Sequence, residues 1–296
     1  MRGILEQTVL PKEVCIVDSS EAARSRDVIE ALCDGAGVSL RYVHPAPRGS
    51  SVQRNIGIDT TQGDPVVFVD DDVLLAPDCH GHLLEELERG GPAVGGVCAT
   101  PTEPARHQSQ LSVLWHIVFG LGGCDRDNHA SMSPGFWCEE VCDPTDVVTL
   151  EAVRGLCMAF RREVFKEERF DENLPGYAMK EDVDLGYRLS RRHTLVQTPR
   201  ARCEHLLSPR NRPPARLLMR VYVANHIYLH RKNMPQDLRH RIALWWGFVG
   251  QFFLLIARTF REREPGLVTG FVVGLTDQLQ GKGLFDLETG EHVLPS

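Results

Sequence analysis

The apolar run Val66-Val67-Phe68-Val69 ends in three consecutive aspartates, Asp70, Asp71 and Asp72. Four β-branched or aromatic residues in succession read as a strand buried on both faces. Carboxylates stacked at its C-terminal end repel one another unless a cation offsets them. Mg²⁺ or Mn²⁺ does this well, because hard divalent ions favour carboxylate oxygens and share them with substrate phosphates. Ligands of open α/β sheets also gather at the carboxyl ends of strands. The run therefore points to a metal-assisted nucleotide site. A solvated acidic turn with an aspartate capping a helix is the plainer alternative.

Segments on both sides alternate between strand and helix. Val14–Val17 is a short strand before Asp18, Ser20–Leu32 is helical in composition, and Leu40–Val43 is strand-like. A helix over Ser51–Thr60 precedes the aspartate strand. Pro77–Arg89 then reads as a helix and Ala93–Ala99 as a strand. This order predicts an α/β fold, a mostly parallel sheet with helices on both faces. From Thr100 to Thr149 the pattern weakens into loops with one helix near Gln110–Phe119, as expected of an acceptor-shaping region. Val153–Arg161 restores a strand, Glu181–Arg192 a helix and Thr194–Thr198 a strand. After Pro213-Pro214 the chain reads as helical to about Phe260. The division expected is a sheet domain over 1–212 and a helical region over 213–296.

A net charge of −7 argues against a general nucleic-acid binder, but the charge is uneven. Between Arg188 and Arg241 stand 13 Lys/Arg against two acids, Glu204 and Asp237. Such a block faces phosphates or an anionic membrane, or is a set of solvated helix faces. Ile242–Ala257 holds no charge and is bracketed by Arg239, Arg241, Arg258 and Arg261. It is short of the ~20 residues a bilayer crossing needs. Trp245, Trp246 and the arginines suit a helix lying at a membrane interface, and a buried hairpin helix is the alternative. Nine cysteines without a Cys-x-x-Cys pair read as small buried residues in a reducing compartment, Cys15, Cys98 and Cys157 foremost. Cys124, His129, Cys138 and Cys142 are poorly spaced for zinc. Met1–Leu10 lacks the apolar centre of a signal peptide.

Further motifs follow in order: Arg48-Gly49-Ser50-Ser51-Val52-Gln53-Arg54-Asn55-Ile56-Gly57, Val153–Phe165 with Arg154-Gly155, Phe170–Leu174, Glu181-Asp182-Val183-Asp184-Leu185, and His205. In this order, over about Leu5–Ser208, the chain resembles the family 2 glycosyltransferases, inverting enzymes of the GT-A fold. The resemblance implies that Asp70 and Asp72 hold Mn²⁺ or Mg²⁺ against the diphosphate of a sugar nucleotide, with His205 completing the site. It implies Asp182 as the general base, with Glu181 beside it. Asp18, Arg48, Arg54, Asp71, Arg154 and Gly155 would contact the nucleotide sugar. For Glu181-Asp182 plain helix N-terminal charging is the alternative, and for Asp18 and the arginines turn or salt-bridge roles.

The implied reaction is transfer of one sugar from a nucleotide-sugar donor to a hydroxyl of a glycan or lipid-linked acceptor, in cell-envelope polysaccharide synthesis. The implied location is the cytoplasm, peripheral at the inner face of the plasma membrane. Processive synthases carry Gln-x-x-Arg-Trp and several transmembrane helices, neither of which is found in this sequence. One departure stands out. The family begins with a strand and a base-cradling loop, whereas this sequence begins within the helix that follows them. A catalytically impaired sugar-nucleotide binder or scaffold is therefore the competing reading. A nucleotidyltransferase would be expected to carry a Gly-rich basic motif near its N-terminus.

Overall fold

The computed structural model describes residues 1–295 apart from 103–109, 125–128, 139–140, 142, 154, 207–212 and 288. In chain order the elements are α1 (Arg2–Leu5), β1 (Glu13–Val17), α2 (Arg26–Ala36), β2 (Ser39–Val43), α3 (Ser50–Thr60), β3 (Val66–Val69), β4 (Val73–Leu75), α4 (Cys79–Gly90) and β5 (Val94–Pro101). Then come α5 (Gln110–Phe119), β6 (Gly123–Cys124), β7 (His129–Ser131), β8 (Val148–Leu150), β9 (Cys157–Phe160), α6 (Glu181–Ser190) and β10 (Thr194–His205). The chain closes with α7 (Ala215–Asn233), α8 (Leu238–Glu262), α9 (Gly266–Leu279) and a small hairpin, β11 (Leu284–Phe285) with β12 (His292–Val293).

The expected α/β architecture is present. The main sheet runs β3-β9-β5-β10-β8-β7-β6, with β4 added antiparallel to β10. β9 is antiparallel to both β3 and β5, and β5 is parallel to β10, so β3, β5 and β10 point the same way. Their carboxyl ends therefore lie on one side, where a ligand is expected. Two apolar layers cover the sheet. One is centred on Met158, Phe160, Leu185 and Leu195, the other on Leu83, Val97, Ala159 and Val196.

The sheet is divided. Among the described residues β1 pairs only with β2, in parallel, and β3 pairs only with β9. This corrects one expectation. β3 is half-buried along its whole length, because it is an edge strand with a partner on one side only.

Several boundaries also differ. α2 starts at Arg26 rather than Ser20, because Asp18 and Ser20 form a turn closed by Ser20 N–H to Asp18 Oδ1 at 2.8 Å. β10 extends to His205 through an irregularity between Thr198 and Arg202, which carries the strand beyond the apolar run that announced it. β4, α9 and the β11–β12 hairpin have no counterpart in the sequence reading, and β6, β7 and β8 fall in the stretch read as loops.

α7, α8 and α9 pack together around Phe248, Phe271, Val223 and Ile227, a cluster that also takes in Phe119 of α5 and Trp137. α7 is tied to the sheet domain by Lys232, which pairs with Asp171 at 2.7 Å and Asp184 at 2.9 Å. Cys98 and Cys157 are buried as expected, Cys15 is half-buried, and no disulfide joins any described cysteine. Cys142 and the side chain of Cys124 lie outside the described residues. His129 Nδ1 lies 2.7 Å from Thr149 Oγ1.

Candidate active site

At the carboxyl ends of β3 and β10 a cavity of about 1310 Å³ opens. Asp70, Asp71, Asp72, Arg54, Gly155, Glu181, Asp182 and His205 all line it. Residues more than a hundred positions apart in sequence thus share one surface.

The added strand β4 explains how His205 arrives. Its antiparallel register sets His205 opposite Val73, and Leu206 N–H donates to the Asp72 carbonyl at 2.9 Å. His205 Nε2 then lies 3.2 Å from Asp72 Oδ2. The turn before β4 is closed by Val73 N–H to the Asp70 carbonyl, and Asp70 N–H donates to the Leu156 carbonyl at 3.1 Å.

Arg54 projects from α3 between two carboxylates. Its Nη2 donates to Asp70 Oδ1 at 2.8 Å and its Nη1 makes a short bond to Glu181 Oε1. Its guanidinium also sits 5.3 Å from the centre of the Phe170 ring. Burial alone would lower the Arg54 pKa, but the charges of Glu181, Asp70 and Asp182 hold it above the ordinary arginine value. Burial pushes the Asp70 carboxyl up, against the pull of Arg54. Burial, and then the neighbouring Asp182 charge, push Glu181 up to about 7, against Arg54 and the Ser50 hydroxyl that donates to it at 2.8 Å.

Asp182 occupies the first turn of α6. Its Oδ2 accepts the Gly155 N–H at 2.6 Å and its Oδ1 accepts the Val183 N–H at 2.7 Å. Both oxygens are thus oriented by backbone donors. The absence of a side chain at Gly155 is required here. A Cβ on it would stand 3.1 Å from Asp182 Oδ2 and 3.2 Å from Arg54 Nη2. The close approach expected of Gly155 is therefore made to the candidate base.

Not every expected residue comes to the cavity. Asp18, held below the usual carboxylate range by the Tyr42 hydroxyl at 2.6 Å and by Ser20, sits beside it, and Ser19 takes the lining position. Arg48 is exposed and is not among the lining residues, whereas Gly49 and Ser50 are. Arg154 lies outside the described residues. Sequence reasoning passed over Lys180, Trp137, Tyr222 and Gln197, all of which line the cavity. For Lys180 the signal was adjacency to Glu181-Asp182. The other three are brought in by folding alone.

The first 136 residues match the sequence model described as Glycosyl transferase family 2. The N-terminal part of the chain is therefore similar to the family 2 glycosyltransferases. The chain's fold is that of GT-A glycosyltransferases. It superposes on the mannosyltransferase PcManGT from Pyrobaculum calidifontis, solved with GDP-Man and Mn²⁺. The TM-score is 0.57 and the identity 14%, over 95% of this chain and 82% of that one. It also superposes on GalNAc-T7, solved with UDP, GalNAc and Mn²⁺. There the TM-score is 0.52 and the identity 14%, over 89% of this chain and 55% of that one. No curated protein matches the chain by sequence.

The site is suited to a divalent cation by its donor chemistry. Five carboxylates line the cavity, and among the described lining residues Arg54 and Lys180 are the cations facing them. Asp72 and His205 converge as an oxygen and nitrogen pair of the kind Mn²⁺ accepts. Asp70 is engaged by Arg54. No group of three or more His, Cys, Asp or Glu is gathered as a metal cage among the described residues. A cation held by one or two protein ligands and completed by substrate phosphates fits that arrangement.

Proposed function

We propose that the protein transfers a single sugar, with inversion, from a nucleoside-diphosphate donor to an acceptor hydroxyl, with Asp182 as the general base. The observation that carries this is the fixing of Asp182 by the Gly155 and Val183 amides, in a cavity shared with Asp70–Asp72 and His205. An Asp182 oxygen takes the proton from the acceptor hydroxyl, and the acceptor oxygen bonds to the anomeric carbon. The bond from that carbon to the diphosphate oxygen breaks, and the diphosphate leaves with the electron pair. Attack opposite the leaving group inverts the centre.

Asp72 and His205 would hold Mn²⁺ or Mg²⁺, with Asp70 and Asp71 adding negative charge. When bound, the ion neutralises charge developing on the leaving diphosphate. Arg54 ties Asp70 to Glu181 and so keeps the two motifs in fixed relation. Asp71, Gly155 and Ser50 would contact the nucleotide sugar, and Asp18, through Ser19, the base; their support is the cavity that Asp71, Gly155, Ser50 and Ser19 line. The Mn²⁺ and nucleotide ligands of the two superposed structures agree with this reading.

The reading puts the protein in the cytoplasm at a membrane surface, acting on a glycan or lipid-linked acceptor. Its support is an apolar face that α5 and α8 turn outward. Leu111, Leu114 and Ile117 on α5, with Ile242, Trp246 and Phe253 on α8, are exposed at helical spacing. The helices are joined by Trp246 Nε1–H to the Val118 carbonyl at 2.8 Å and Trp115 Nε1–H to the Gly250 carbonyl at 3.2 Å. Arg239, Arg241, Arg258 and Arg261 are exposed on α8 against Glu262, a charge balance complementary to anionic lipid. α8 is long and apolar enough to cross a bilayer by length and composition. Its inner side, however, is buried at Leu244, Gly247, Phe248, Gly250 and Leu255, which suits lying on a membrane.

A sugar-nucleotide binder without turnover is favoured by one observation, the division between β1 and β3 beside Ser19. Hydrolysis of a panel of nucleotide sugars with Mn²⁺, compared between the wild type and Asp182→Ala, separates the two. Turnover that requires Asp182 is expected, and no turnover of any donor overturns the enzyme reading.

A further inference from the structure

Lys180 immediately precedes Glu181 and Asp182, and its side chain forms part of the cavity wall. Its surroundings are unusual for an ammonium. Nζ lies 4.5 Å from the centre of the Tyr222 ring and 5.3 Å from that of Trp137, and it makes a short hydrogen bond to His226 Nδ1.

His226 Nε2 lies 2.9 Å from the Gly135 carbonyl, which can only accept. The proton is therefore on Nε2, and Nδ1 is the acceptor for Lys180. Burial, and then the charge of Lys180, hold the His226 imidazole well below its ordinary value, so the ring stays neutral and accepts from Lys180 without balancing its charge.

Elsewhere even exposed lysines are paired with carboxylates, Lys232 with Asp171 and Asp184, and Lys282 with Asp277. Among the described residues no carboxylate forms an ion pair with Lys180. An ammonium so placed is costly unless an anion joins it, and the cavity is the open direction.

The aromatic wall around Lys180 also has a definite neighbour. Trp137 is seated on α8, where a Cβ on Gly247 would stand 2.1 Å from its Nε1, and its ring meets Phe248 edge-on at 5.2 Å. The outer side of the same helix carries exposed Trp246, Val249 and Phe253. One helix thus separates this arm of the cavity from the face assigned to lipid.

We propose that Lys180, Trp137 and Tyr222 form the acceptor subsite, and that it takes an acceptor bearing a phosphate ester. The phosphate oxygens pair with the Lys180 ammonium, and the adjoining apolar or sugar portion lies on the Trp137 and Tyr222 rings. A lipid-borne phosphate is the source the adjacent α8 face favours. The proposal rests on the glycosyltransferase reading of the cavity.

The test is calorimetric titration of the full chain with octyl phosphate, with octyl glucoside as the uncharged counterpart and UDP or GDP with Mn²⁺ as the donor arm. Lys180→Met is expected to weaken octyl phosphate binding tenfold or more and to leave the other two unchanged. Lys180→Arg is expected to recover most of the loss. Equal octyl phosphate affinity in the wild type and Lys180→Met overturns the proposal. So does a loss confined to the nucleoside diphosphates, which would assign Lys180 to the donor. If Lys180→Met does not fold, the Lys180 side-chain nitrogen resonance of the wild type serves instead, and its indifference to octyl phosphate is equally decisive. Donor turnover is read separately. A wild type silent on every donor sinks the transferase reading and the acceptor role with it, whereas an active enzyme indifferent to octyl phosphate sinks the Lys180 proposal alone.

Discussion

The Gly155 backbone N–H donates to Asp182 Oδ2 at 2.6 Å, joining the loop before β9 to the first turn of α6. The bond fixes one carboxylate oxygen, and the missing Cβ of Gly155 leaves room for it beside Arg54. Orientation of a base by a rigid donor is what general-base catalysis needs, because the acceptor proton must lie within hydrogen-bond reach.

Asp182→Asn keeps the shape and one acceptor oxygen but cannot take up a proton at neutral pH. Turnover is expected to fall ~10²–10⁴-fold, with donor affinity nearly unchanged. Steady-state kcat and donor titration check this, and retention of most of the turnover rules Asp182 out as base.

Asp72→Ala removes the oxygen that faces His205 at 3.2 Å. Donor binding in the presence of Mn²⁺ is expected to be lost. Isothermal titration is the check, and equal wild-type donor affinity with and without Mn²⁺ would sink the metal-assisted site.

Lys180 gives a pH signature. Burial lowers its pKa from 10.5 to about 7, with Cys138 and Asp182 pulling it back up and Tyr222 and His226 packed against it. Below pH 7 the folded state carries an ammonium it disfavours. Between about 7 and 10.5 the unfolded chain binds a proton that the folded chain does not, so the penalty shrinks as pH rises. Lys180→Met is therefore expected to raise Tm over the wild type more near pH 6 than near pH 9. Thermal melts at both values test it, and the reverse order contradicts it.

The α5–α8 face is expected to bring the protein down with vesicles containing phosphatidylglycerol at low salt, and less so at high salt. Ile117 and Phe253 are 70% and 50% exposed, so Ile117→Glu with Phe253→Glu should abolish pelleting without lowering Tm. Absence of lipid-dependent pelleting by the wild type rejects the membrane contact.

Amide exchange should follow the divided sheet. β5 pairs with β9 and β10, and β10 with β5 and β8, whereas among the described residues β1 and β3 each have one strand partner. Exchange in Val14–Val17 and Val66–Val69 is expected to be faster than in Val97–Ala99 and Leu195–Gln197. Uniform protection across all four would mean that the sheet is closed by contacts other than strand pairing.

By itself the sequence determined many of the local elements and the main acidic motifs of the site. The apolar run before Asp70, the helix opening at Glu181 and the Arg48–Gly57 motif are recorded in adjacent residues, and period and charge read them directly. Tertiary structure decided which of these residues meet. His205 reaches Asp72 through a β4–β10 pairing with no signal in either segment, since three residues are too few to show alternation. Arg54 could have salt-bridged anywhere, and only the tertiary fold, with α3 packed on β1, sets it between Asp70 and Glu181. α8 presented one uncharged run to the sequence reader. Which side of it is buried by Trp137 and Phe271, and which is left to solvent or lipid, follows from what packs against it, because apolar composition alone does not distinguish an inward face from an outward one.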